Sequence, residues 1–369
     1  TGIHTMKILH KIICVALAPA LLIACSEKVE QPDTPGGEHA YKSVFKWGKP
    51  IDIFGFQPQN RYAYCPSVIE TEDGSCHMFF CGNPEENKMV DNIYHIEIKK
   101  DGSKTTPKSV LQPTPGTWDS FHCCDPSVIE GQFKMNGAVY RYAMFYLGID
   151  KGDCKGNEIG VAFSNDLYAS SWVKSPKQII AFPDNRDKAW GVGQPSAFSL
   201  DKGGKVLLTY TRGDVGGTGV RFCKVDMSDM SNLVVEESKP ITSMGFNHIL
   251  HNCDFAVDNS AKKVVGVFSG TWPDTYPTFI ESFTAAASID YDDFLNGTGT
   301  WKRLPDIDYS VSGYYRNHNA CLLRDGYGFL KNYKTPSVFY TVSGTARTAE
   351  WSYHIWRVDS SIEKIQITN

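Results

Sequence analysis

The sequence predicts an all-β chain folded as a five-bladed β-propeller, and three observations carry that prediction. A short pattern recurs five times at the spacing of a propeller blade, each copy opens a series of turns alternating with β-rich runs, and the composition favours strands and turns over helices. Among 369 residues there are 20 Phe, 18 Tyr, 32 Gly and 19 Pro. Aromatic residues suit a pleated, half-buried surface, and Gly and Pro supply the tight connections between strands. Hydrophobic residues make up 41% and charged residues 21%, enough apolar material for a packed core and too much for a disordered chain.

The first copy of the repeat is Tyr64-Cys65-Pro66-Ser67-Val68-Ile69. It returns as Cys124-Asp125-Pro126-Ser127-Val128-Ile129 and as Gly193-Gln194-Pro195-Ser196-Ala197-Phe198. Two looser copies follow, Cys253-Asp254-Phe255-Ala256-Val257 and His318-Asn319-Ala320-Cys321-Leu322. Taking Cys65, Asp125, Gln194, Asp254 and Asn319 as equivalent places the copies 60 to 69 residues apart. A second strand is expected after each copy, at 77–81, 141–147, 205–211, 263–269 and 328–333. Third and fourth strands are legible at 158–164 with Trp172, and at 283–289 with Trp301-Lys302. Four strands make one blade, and a blade cannot bury both faces alone, so five packed around an axis are the economical closure. The run 44–54 precedes the first unit and is expected to complete the last blade. One domain is predicted over 41–369.

The N-terminal segment has a different character. Lys7 and Lys11 precede an apolar run, 12–24, too short to span a bilayer as a mature helix. It ends in Leu22-Ile23-Ala24-Cys25, which resembles the lipobox of bacterial lipoproteins, where the Cys is lipidated after cleavage. Residues 1–24 are therefore expected to be a signal peptide, Cys25 a lipid anchor, and 25–40, with Pro32, Pro35, Gly36 and Gly37, a flexible spacer. Loss of Lys7 and Lys11 shifts the formal charge from −4 to −6, so a tether rather than a basic patch would hold the protein to a membrane. The expected location is the bacterial cell envelope, periplasmic or at the cell surface.

In a propeller the innermost strands face one central channel, so a position repeated five times forms a ring around one pocket. Two carboxylates, two amides and a thiol, with His318 beside the last, suit a polar ligand better than a core. The bland reading is that Asp125 before Pro126 simply caps a turn. Asp73, Asp201 and Asp258 are expected to do that in hairpins.

The run from Cys124 through Asp125-Pro126-Ser127-Val128-Ile129, then Tyr142-Ala143-Met144-Phe145-Tyr146, then Ile159-Gly160-Val161-Ala162-Phe163-Ser164-Asn165-Asp166-Leu167 and Trp172, resembles the five-bladed glycoside hydrolases of family 43, the xylosidases and arabinanases, with their fructosidase relatives. The resemblance implies that Asp125 is the general base and Asp254 the second Asp that orients the acid and tunes its pKa. It also implies an acidic Glu in the next blade, where this chain has Arg316-Asn317-His318-Asn319. A related five-bladed family acting on red-algal oligosaccharides uses His in the acid's place, which makes His318 the expected substitute. Glu281 is a rival acid. An alternative register, with Cys65 at the base position and Gln194 as modulator, leaves no competent set and implies a noncatalytic carbohydrate-binding lipoprotein.

Inverting hydrolysis needs one group to deprotonate water and another to protonate the leaving oxygen, with the pair typically about 6.5–9.5 Å apart. The expectation is exo-acting, inverting cleavage of plant or algal poly- or oligosaccharides, with Asp254 near enough to hold the His318 pKa up. Sugar rings have apolar faces, so aromatic platforms are expected among Tyr62, Tyr64, Trp118, His122, Trp190, Trp272, Tyr314 and Tyr315. Asn83, Gln194, Arg212, His251, Asn252, Arg316 and Asn319 are the expected polar contacts, with Arg212 suited to a sugar carboxylate.

No cofactor is expected to be required, although a structural Ca2+ or similar ion in the channel is conceivable, with His318 and the ring amides as ligands. The nine Cys beyond Cys14 and Cys25 show no CxxC spacing, so neither a zinc site nor a full disulfide framework is indicated. Cys123 and Cys124 could pair with cysteines elsewhere in the chain. Lys and Arg total 37 against 41 Asp and Glu, which argues against nucleic acid as a partner. A monomer is expected.

Overall fold

A computed structural model of the chain describes residues 41–56, 60–241, 251–270, 282–345 and 349–367. The predicted leader, Cys25, the spacer 25–40, Trp272 and Glu281 lie outside these residues. The described chain forms five antiparallel sheets of blade type, in the order the repeat predicts. Blade one runs Ala63–Glu70, Cys76–Gly82, Asn92–Ile98, Lys108–Leu111 from hub to rim. Blade two is His122–Met135, Ala138–Ile149, Glu158–Ser164, Val173–Lys174. Blade three is Gly191–Ser199, Lys205–Asp214, Gly217–Asp226, Val234–Val235, with Lys239–Pro240 pairing on its third strand. Blade four is Asp254–Asp258, Lys263–Gly270, Phe283–Asp290, Lys302–Arg303. Blade five takes Arg316–Leu322, Val338–Ser343 and His354–Val358 from the C-terminal end and Ile51–Phe54 from the N-terminal end. The last strand thus closes the ring as expected. Tyr41–Trp47 and Ser360–Gln366 pair as a separate two-stranded ribbon.

The core is divided in the way a period-2 pattern dictates. In the second strand of blade two, Tyr142, Met144 and Tyr146 pack with blade one, while Ala143 and Phe145 pack with blade three. The same alternation around the ring produces a hydrophobic cluster at each of the five blade interfaces. Hairpin turns are held by the acids predicted for them. Asp73 Oδ1 accepts from Ser75 N, Asp201 Oδ1 from Gly203 N, and Asp258 Oδ1 from Ser260 N.

The repeated motif is a β-bulge. The inner ladders slip between Tyr64 and Ser67, Cys124 and Ser127, Gly193 and Ser196, and His318 and Cys321. At each slip one residue turns left-handed: Cys65 (φ 49°), Asp125 (49°), Gln194 (52°) and Asn319 (48°). Such a conformation is costly for a side chain with Cβ, and a bulge re-aims that side chain, here toward the axis. In blade four the left-handed residue is Asn252 (φ 50°). The expected equivalence of Asp254 with Asp125 is therefore off by two residues, and Asp254 stands in the Ser position of the motif. Without the Pro that follows the bulge elsewhere, the Asp drew the alignment to itself.

That Ser position latches each blade to the next. Ser67 Oγ accepts from Val128 N (3.2 Å), Ser127 Oγ from Ala197 N (3.1 Å), Ser196 Oγ from Phe255 N (3.1 Å) and Asp254 Oδ2 from Leu322 N (2.8 Å). The Val68 N–H meets the Cys321 thiol and completes the circuit. The far end of the hub is stoppered by the loop between the first two strands of blade five. Its carbonyls accept from four blades: Arg324 O from Glu70 N, Gly326 O from Glu130 N, Tyr327 O from Ser199 N and Gly328 O from Val257 N. Gly328 (φ +83°) lies so close to Phe198 that a Cβ there would meet its Cα and Cβ. Arg324, 3% exposed, reaches inward to Phe255 O (2.7 Å), Ser127 Oγ (3.2 Å) and Asp254 Oδ1 (3.4 Å).

Candidate functional site at the hub

The ring residues open into one pocket, about 330 Å³ with its solvent-filled mouth included, lined by the five bulges: Cys65 to Ser67, Asp125 and Pro126, Gln194 and Pro195, Asn252 to Asp254, and Asn319 to Cys321. Neighbouring ring residues hold one another. Gln194 N donates to Asp125 Oδ2 (3.3 Å), Asn252 N to Gln194 Oε1 (2.9 Å), and Asn319 Nδ2 to Cys65 Sγ (2.7 Å).

Asp125 presents its carboxylate to this cavity. It is 9% exposed, and burial raises its pKa to about 6 despite a hydrogen bond from Cys65, with the charge of Asp91 adding to the rise. Burial also pushes the Cys65 thiol well above its ordinary value, reinforced by Asp125. Beside them Cys81, on the second strand of blade one, and Cys124 are joined by a disulfide. The partner that the sequence left open for Cys124 is thus Cys81. Asp125 N donates to Cys81 Sγ (2.8 Å), and Asp125 Oδ1 lies 3.2 Å from Cys124 Sγ.

Asp254 reaches the cavity wall with its carboxylate already engaged by Ser196 Oγ (2.6 Å), Leu322 N and Arg324. His318 departs from expectation. It is 2% exposed, its Nδ1 is paired with Asn319 Oδ1, and Nε2 faces Ser343 Oγ at 3.5 Å. Burial drives its pKa down to about 4, helped by Arg316 and opposed by Asn319. Asp254 was expected to hold it up, yet desolvation outweighs every neighbour.

The remaining predicted contacts divide. Gln194, Asn252 and Asn319 line the cavity, and Trp190 packs against Cys65, Cys81, Cys124 and Leu147 at its edge. Trp118 instead stacks on Tyr146 (5.7 Å) and fills the space above Gly148 and Gly160, so it packs the blade. Arg212 is paired with Asp214 (2.8 Å) over the Phe182 ring, not held free as a clamp. Arg316 is fully buried and donates to Thr345 O (3.1 Å). The backbone carbonyl of His251, next to Asn252, accepts from Ser269 N, and burial lowers the His251 pKa.

Three of the predicted aromatic contacts, Tyr62, Tyr64 and His122, gather between blades one and two around Asp91, which sequence reasoning missed. Asp91, 5% exposed, accepts from Tyr64 OH (3.1 Å) and lies 3.4 Å from His122 Nδ1. Asp91 Oδ1 and His122 Nε2 are buried without a hydrogen-bond partner. Burial lowers the His122 pKa, and the Asp91 carboxylate opposes that fall. Tyr62 packs against Tyr64 and Trp351, and Tyr353 bridges Tyr64 and His318. Asp91 sits outside the repeat, so no sequence signal marked it. Tyr309 and Tyr315 stack in solvent at 4.6 Å, on the segment leading into the blade-five inner strand.

No family model matches the chain, and no curated protein matches it. Solved structures do. A structure described as a glycoside hydrolase shares 14% identity at a TM-score of 0.58, over 86% of this chain and 92% of its own. A family 117 glycoside hydrolase from the marine bacterium Zobellia galactanivorans shares 9% identity at 0.56, over 86% and 90%. The α-L-arabinofuranosidase of Podospora anserina, solved with cellotriose, shares 10% at 0.57, over 86% and 97%. At such identities the likeness is one of fold, and these structures cover nearly the whole propeller.

Proposed function

We propose that the protein is a glycoside hydrolase that removes terminal sugars from plant or algal poly- or oligosaccharides by inversion, with Asp125 as the base that deprotonates water and Glu281, which lies outside the described residues, as the acid that protonates the leaving oxygen. The observation that carries this reading is the buried Asp125 carboxylate, aimed by a strained bulge into a hub cavity whose opposite end is stoppered, while the second carboxylate of the lining, Asp254, is engaged by Ser196, Leu322 and Arg324. With a pKa of about 6 it is mainly ionised at neutral pH, and the Gln194 N–H orients it. A positioned base of this kind contributes roughly 10²–10⁴-fold. Asp254, held by Arg324, serves as a positioning residue for the cavity wall. The names of the structural neighbours support the substrate class. The Leu22 to Cys25 pattern supports a lipid anchor at the cell envelope.

One observation favours a second reading, a noncatalytic carbohydrate-binding lipoprotein: at neutral pH the buried His318 is uncharged and cannot serve as the general acid. Turnover of a panel of arabino-, xylo- and agaro-oligosaccharides by the wild type and by Asp125→Asn separates the two. Hydrolysis lost by at least a hundredfold in Asp125→Asn supports the enzyme. Binding of one of these sugars without turnover, unchanged in Asp125→Asn, supports the second reading.

A further inference from the structure

Three sulfurs and one carboxylate converge on a single point of the hub wall from three strands of two blades. Cys65 comes from the blade-one inner strand, Cys81 from its neighbour, and Cys124 and Asp125 from the blade-two inner strand. One ligating atom from each lies within 4.8 Å of all the others. Nothing in their spacing along the chain, 16 and then 43 residues apart, resembles a metal motif; the propeller assembles them.

We propose that these four side chains form a site for a thiophilic divalent cation of the Zn2+ class, available when the Cys81–Cys124 disulfide is reduced. A tetrahedral Zn2+ site places thiolates about 2.3 Å from the metal, hence ligand atoms about 3.7 Å apart, so the widest spacing here would close by about 1 Å while the Cys81 and Cys124 sulfurs, once reduced, would move apart. Three sulfurs and one oxygen are a poor set for Ca2+, which takes six to eight oxygens. This cluster therefore suits Zn2+ rather than Ca2+. Cys65 and Asp125 both line the cavity, which gives a cation its path of entry. Cys65 and Asp125 already share a hydrogen bond, and Asn319 Nδ2 reaches the Cys65 sulfur as an outer support.

Disulfide and cation compete for the same two sulfurs. An external dithiol such as dithiothreitol gives two electrons and two protons to Cys81 and Cys124 and is itself oxidised to its cyclic disulfide. Loading then releases the protons of the three thiols as they become thiolates. The oxidised chain has Cys65 and Asp125 alone, which is too few ligands. A loaded cation also occupies the Asp125 oxygen. Loss of hydrolysis on loading rests on the function proposed above, whereas binding itself does not.

Titrating the full chain anaerobically with Co2+ tests the site, because thiolate-to-cobalt absorption reports sulfur ligation directly. The reduced protein should bind one equivalent with a saturable thiolate band that Zn2+ displaces and Ca2+ does not, and the oxidised protein should show none. Cys65→Ser should abolish the band. Asp125→Asn, which keeps all three thiols and guards against a misfolded Cys variant, should keep the band and weaken binding at least tenfold. Absence of a saturable band in the reduced wild type, or an undiminished band in folded Cys65→Ser, overturns the proposal.

Discussion

His318 shows how burial overrides pattern at the scale of one residue. Beside an amide and one blade from Asp254, it reads as a tunable acid, but its pKa falls to about 4 because desolvation penalises the imidazolium more than any partner repays. The consequence for stability has a definite sign. Between pH 6.5 and about 4 the unfolded chain binds a proton at this position that the native chain refuses, so stability is complete above pH 6.5 and declines as pH falls through that window. The loss is on the order of 3 kcal/mol at the lower end. His318→Gln should remove most of this slope from urea-unfolding free energies measured between pH 4 and 7. An equal slope in both proteins contradicts the assignment. Asp125 was legible because Asp-Pro in a repeat is conspicuous. Asp91 was not, because a lone Asp before an outer strand looks like any turn residue until the fold sets it beside Tyr64 and His122.

At the scale of the element, the repeated motif is a bulge with two duties: the left-handed residue lines the cavity, and the residue two places on latches the next blade. The sequence displayed the motif in blades one to three, where Pro and Ser repeat. In blade four Asp254 replaces Ser, and its extra charge is matched by Arg324 from the stopper loop. This pairing was invisible beforehand because the loop's partners lie on four different blades. Removing one member of a buried pair strands the other, typically costing about 3–5 kcal/mol. Arg324→Met should lower the urea midpoint accordingly. Adding Asp254→Ser, which restores the latch chemistry of the other blades, should recover much of the loss. A double variant no more stable than Arg324→Met alone contradicts a latch separable from its charge.

At the scale of the molecule, five hydrophobic wedges replace a single core, and ring closure by Ile51–Phe54 lets every blade bury both faces. Blade number, closure and the hub as the place of convergence were all readable, since each follows from a repeat of strands that cannot stand alone. The stopper and the cysteine cluster were not, because both arise from contacts between blades. Truncation to Gly55 should leave the His354–Val358 strand as an open edge and give a chain that self-associates on size-exclusion chromatography. A monomeric, cooperatively folding truncation contradicts that role for closure. The central claim, that the hub cavity is a hydrolytic site built on Asp125, meets its most direct test in following the anomeric proton signals of a cleaved oligosaccharide by NMR. The wild type should release first the anomer opposite to that of the scissile bond, and Asp125→Asn should release essentially none. Retained configuration, or equal release by both proteins, would contradict it.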